Sequence, residues 1–124
     1  MVKFSISKII PNCIYDDAIW DYFIEGRLSD KSKISLFDPK CLSEYLTIGQ
    51  LIEIDISSIF VSRIKVEETD FFQGFFQHFN DEKDIFIGEA IKIIVDKSEL
   101  KSNKISYNEN SIYYFGQIRL QSIK

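Results

Sequence analysis

A chain of 124 residues, 45% apolar and 15% aromatic, can bury one core without disulfide or metal staples. Its net charge of −4 is the wrong sign for holding a polyanion by overall charge, though a local basic stripe is compatible with it. No apolar run reaches the ~20 residues of a membrane-spanning helix, no signal-peptide pattern opens the chain, and two cysteines make no secreted disulfide framework. The expectation is one soluble, cytoplasmic domain over 1–124, away from membranes, with Cys13 and Cys41 as reduced thiols.

Val2, Phe4 and Ile6 alternate with Lys3, Ser5 and Ser7, which predicts a first strand that stops at Pro11 and Asn12. Residues 14–29 read two ways. As a strand, Ala18, Trp20, Tyr22, Ile24, Gly26 and Leu28 share one face, against Asp17, Ile19, Asp21, Phe23, Glu25 and Arg27. As a short helix, Asp16 would cap the start and Gly26 the end. The aromatic content and the polar turn at 29–32 favour a strand, paired with a second over 33–37. Asp38 followed by Pro39 is a helix-start signature, and Leu42, Tyr45 and Leu46 then fall on one face of a two-turn helix over 39–46.

Residues 46–66 carry the clearest pattern. Ile52, Ile54, Ile56, Ser58, Phe60, Ser62, Ile64 and Val66 alternate with Glu53, Asp55, Ser57, Arg63 and Lys65. A one-residue slip would turn the carboxylates inward, so the register of this long strand is strongly set. In 70–79, Phe71, Phe72, Phe75, Phe76 and Phe79 have helical spacing with Thr69 as a cap. Gly74 would cost such a helix about 1 kcal/mol, and a strand buried on both sides is favoured. A turn at 80–84 leads to a strand over 85–96 with Ile85, Ile87, Ile91, Ile93 and Val95 inward. A basic loop over 97–104 and a turn at 107–110 precede a last strand over 111–123, with Ile112, Tyr114, Gly116, Ile118 and Leu120 on one face. Gly26, Gly74, Gly88 and Gly116 all sit inside predicted strands, as bends or close backbone approaches. The fold expected is mainly β with a minor helical part: a small, strongly curved antiparallel sheet or closed β-barrel of about six or seven strands with one short helix at 39–46.

No catalytic, metal or nucleotide motif stands out, so neither an enzyme nor a cofactor is expected. His78 is the sole histidine, without an orienting acid or a ligand set in sequence. Cys41 falls in the first turn of the predicted helix, where a thiol can be activated, but its spacing equally suits packing with Leu42 and Tyr45. Glu67, Glu68 and Asp70, then Asp81, Glu82 and Asp84, flank the Phe-rich segment, and no calcium-loop pattern links them.

Carboxylates rimming aromatic rings resemble a surface aimed at a basic protein. In size, acidity and aromatic content the chain resembles the general class of small immunity or antitoxin proteins. That resemblance implies a non-enzymatic module that covers a basic, toxin-like partner through Glu67, Glu68, Asp70, His78, Asp81, Glu82 and Asp84, with Phe71 or Phe75 as anchors. The alternative is nucleic acid. The order strand–turn–strand, helix, long strand is similar to small barrels of the OB type, which implies single-strand binding by basic loops and stacking rings. Lys97, Lys101, Lys104 and Tyr107, with Tyr113 and Tyr114 beyond, are the residues for that reading. A barrel subunit with a purely structural or oligomerisation role is the third.

Overall fold

The structure, a computed structural model, describes residues 2–67, 69–102 and 110–124, and of residues 99, 101 and 102 the backbone alone. Alternation becomes pleated strand along most of the chain. The strands are β1 (Val2–Pro11), β2 (Ile14–Tyr15), β3 (Ala18–Ile19), β4 (Tyr22–Leu28), β5 (Lys33–Asp38), β6 (Leu51–Ser62), β7 (Asp70–His78), β8 (Lys83–Gly88), β9 (Lys92–Asp96) and β10 (Ser111–Ile123). A 3₁₀ turn, Leu42–Tyr45, and a short helix α1, Lys97–Ser102, complete the described elements.

Eight strands form one mixed sheet, and β2 and β3 form a separate hairpin. Hydrogen bonds run β1–β4–β5–β10–β6 and back to β1, which makes a ring. They also run β10–β6–β9–β8–β7 and back to β10, which makes a second ring on the same ribbon. Two contacts are parallel: β5 with β10 at the single pair Phe37–Arg119, and β6 with β9 from Ile56–Ile93 to Ser58–Val95. The expected sheet of six or seven antiparallel strands is thus corrected to eight strands of mixed direction.

The core is one cluster with two characters. Val2, Phe4, Ile6, Ile24, Leu36 and Ile54 fill the first ring with mostly aliphatic chains. Phe76, Phe86, Tyr113 and Phe115 fill the second with rings whose centroids lie 4.9–5.6 Å apart. Each such burial stabilises by roughly 1.5–3 kcal/mol, and the tilted ring pairs add about 0.5–1.5 kcal/mol each.

Local chemistry explains where the sequence pattern misleads. The helix expected over 39–46 is only the four-residue 3₁₀ turn, because Cys41 adopts a left-handed φ of 54° just before it and Leu46 is extended just after it. Residues 14–28 are interrupted by Asp16 and Asp17, both at positive φ, so Tyr22, Ile24 and Leu28 are buried as expected but Ala18 and Trp20 are not. The strand expected over 85–96 turns back at Gly88, whose amide donates to Ile91 O, making two strands of one. Phe86 is therefore the inward residue, and Ile85 and Ile87 face out. The basic loop expected over 97–104 begins as α1.

The β6–β10 ribbon changes phase midway. Pairing steps from Gly116–Phe60 to Ile118–Ser58, with Gln117 at a φ of 46°. The buried Ser58 hydroxyl bridges the break, 2.7 Å from Phe60 O and 2.8 Å from Gly116 O. On one side of the break Ile56, Ile118 and Leu120 are buried, and on the other Val61, Tyr113 and Phe115. Ile112, expected inward, is exposed, as are Ile64 and Val66 beyond the end of β6.

Candidate functional site

The acidic residues named from the sequence do not converge. Glu67 is exposed before β7, Glu68 lies outside the described residues, and Asp70 is half-buried at the start of β7. Burial alone pushes the Asp70 carboxyl above the ordinary aspartate range. Asp81 and Glu82 stand at the other end, separated by the nine residues of β7, about 26 Å of strand. Asp84 is fully buried and faces His78 Nδ1 at 3.6 Å and Lys97 Nζ at 3.8 Å, while His78 Nδ1 and Lys97 Nζ lie 3.0 Å apart. The described carboxylates thus stand at the two ends of β7, as their flanking positions in the sequence predict, and Asp84 is withdrawn from the surface. The rings are better placed. Phe71 is 61% and Phe75 39% exposed on the outer face of β7, with Tyr114 6.1 Å from Phe71.

The residues expected for nucleic acid fare unevenly. Lys97 turns toward Asp84, Tyr113 is fully buried, and the Lys101 side chain, Lys104 and Tyr107 lie outside the described residues. Cys13 and Cys41 are free thiols. Cys41 Sγ donates to Trp20 O at 3.2 Å. Burial first, then the nearby charges of Glu44, Asp38 and Asp21, push its pKa up, which is the reverse of what a nucleophile needs. Among the described residues no group of three or more His, Cys, Asp or Glu could hold a metal ion.

A different surface gathers more chemistry: the outer face of the β4–β5 hairpin. Alternation turns Phe23, Glu25 and Arg27 outward from β4, opposite Phe37, Ser35 and Lys33 of β5. The Phe23 and Phe37 rings lie 5.4 Å apart, and the Arg119 guanidinium of β10 stands 5.5 Å from the Phe37 ring centre. Arg119 Nη2 donates to Gln117 Oε1 at 2.9 Å. Below these rings, Arg27, Lys33, Ser35, Glu25 and Asp70 border an open groove of about 410 Å³.

At the end from which β4 starts, the β2–β3 hairpin presents Tyr15, 71% exposed, and Trp20, 59% exposed. Asp21 Oδ1 anchors the base of this hairpin by accepting from Asn12 Nδ2 and Cys13 N, and Trp20 Nε1 donates to Tyr15 O at 3.3 Å. Trp20 precedes Phe23 by three residues, at most ~10 Å of chain. Phe23, Phe37 and Arg119 thus make one aromatic and cationic cluster on the outer face of β4–β5, with Arg27 and Lys33 farther along that face. The signal in the sequence was Phe23 on the polar face of its strand, an apolar ring where Asp, Glu and Arg surround it. Phe37 and Arg119 gave none, because nothing local announces that β5 and β10 become neighbours.

Neither a protein-family model, a curated protein nor a solved structure matches this chain.

Proposed function

We propose that this chain is a non-enzymatic, single-strand nucleic-acid-binding protein whose first ring is a small barrel of the OB type. The ring strands, numbered one to five in chain order, are β1, β4, β5, β6 and β10, and they neighbour one another in the order 1-2-3-5-4 and back to 1. The third and fifth touch in parallel, the 3₁₀ turn fills the link from third to fourth, and β7–β9 occupy the link from fourth to fifth. OB barrels use the face of strands two and three, together with the loops after strands one and four, to bind oligonucleotides and oligosaccharides. Here that face is β4–β5. The single observation that carries the reading is the stack of Phe23, Phe37 and Arg119 on it, with Arg27 and Lys33 two rows along, beyond Glu25 and Ser35.

Stacking suits any base, at about 1–3 kcal/mol each, and the guanidinium suits phosphate. The test is fluorescence anisotropy with a labelled oligo-dT at low salt. Phe37→Ala and Arg119→Gln, each checked for retained β circular dichroism, should weaken binding roughly tenfold. Absence of binding by the parent protein at low salt, or equal binding by both variants, overturns the proposal.

A second reading keeps the protein partner. Phe71 and Phe75 stand outward on β7, beside exposed Ile112 of β10, as anchors for a docked protein. The overall acidity favours a basic one. A purified basic partner whose affinity is unchanged by Phe71→Glu together with Phe75→Glu would end this reading.

A further inference from the structure

We propose a phosphate subsite beyond Phe37, on the outer face where β10, β6, β9 and β8 lie side by side. Strand pairing puts one lateral row of outward residues across the sheet: Phe23, Phe37, Arg119, Ser57, Ile94 and Ile85. Neighbouring members of the row are one strand breadth apart, about 4.8 Å. Past Arg119 the row dips into a small cavity of about 140 Å³, lined by Ser57, Lys83, Asp96, Arg119 and Gln121 among others. Two cations from strands far apart in sequence thus meet a hydroxyl and an amide.

The donors are poised for an oxyanion. The Ser57 hydroxyl oxygen already accepts from Gln121 Nε2 at 2.5 Å, which leaves its own proton to donate outward. Lys83 Nζ makes no ion pair among the described residues, and its backbone is fixed separately by donation to Asn80 Oδ1. Arg119 Nε is shielded from solvent with no hydrogen-bond partner among the described residues, an unmet donor beside a cavity. Asp96 is the one carboxylate in the lining, so the cavity keeps a net charge of one positive unit (Lys83 and Arg119 against Asp96).

That balance selects a tetrahedral oxyanion over a carboxylate-rich or cationic ligand. The phosphate could belong to a strand whose base stacks on Phe37, which rests on the reading above, or to free phosphate, which does not.

Isothermal titration with sodium phosphate, against sodium chloride at equal ionic strength, tests the subsite directly. Lys83→Gln and Ser57→Ala are the variants, since neither removes a core contact. Binding of phosphate by the parent, weakened roughly tenfold in Lys83→Gln, is the expected result. Phosphate that also displaces oligo-dT assigns the subsite to a bound strand. Phosphate that binds while oligo-dT does not keeps the subsite and overturns the strand reading. No phosphate-specific heat, or heat unchanged in both variants, overturns the subsite.

Discussion

Asp38 shows how a residue can be read correctly for its chemistry and wrongly for its element. Its carboxylate accepts from Leu42 N at 3.1 Å, from Ser43 N at 2.7 Å and from the Ser43 hydroxyl at 2.6 Å, while fully buried. The capping role was legible in Asp38-Pro39. The turn it caps was not, because a left-handed Cys41 is uncommon outside glycine and asparagine and leaves no local mark. Asp70 illustrates burial of the opposite kind, without compensation. Its folded pKa is raised by desolvation, so the ionised form costs stability near neutral pH. That cost disappears as pH falls below the ordinary aspartate value. Asp70→Asn should therefore raise the melting temperature by a few degrees at pH 7 and leave it nearly unchanged at pH 3. An equal shift at both values would contradict the assignment.

At the scale of elements, glycine was the most informative residue. A Cβ on Gly26 would collide with the Phe4 ring and the Ser5 carbonyl, and one on Gly74 with the Ile87 carbonyl. Gly116 differs: there a Cβ meets only the Phe60 side chain, at 3.1 Å. Backbone cannot give way and a side chain can. Gly74→Ala should lower unfolding free energy by about 3 kcal/mol or more, and Gly116→Ala by about 1 kcal/mol, as read from urea midpoints. Comparable losses would mean that the closeness of β7 to β8 is not what Gly74 secures.

Strand alternation alone carried β1, β4 and the first half of β6. It failed wherever the parity changes, since the left-handed Gln117, across which β6 and β10 change face together without losing register, or a tight return at Gly88 turns the later residues to the other face. The candidate face was hidden for the same reason: Phe23, Phe37 and Arg119 come from three strands whose adjacency is a property of closure.

For the molecule as a whole, the decisive contrast is between net charge and its placement. An overall −4 favours a basic partner, yet Arg27, Lys33 and Arg119 share the outer face that carries Phe23 and Phe37. Salt separates the two. If those three cations neutralise strand phosphates, log affinity for oligo-dT should fall with log salt at a slope of about −2, near 0.7 per phosphate. A flat dependence would point to stacking or protein docking without charge.

The ribbon of β6 with β10 has a consequence for synthesis. Both circuits of the sheet need β10, and its pairing with β6 reaches Ile123. On the ribosome, then, neither circuit can close before β10 emerges, since the second needs Ser111–Phe115 against β7 and the first needs Arg119 against β5. Until then the aliphatic and aromatic halves stay open together, and a nascent chain stalled before β10 should be the aggregation-prone species.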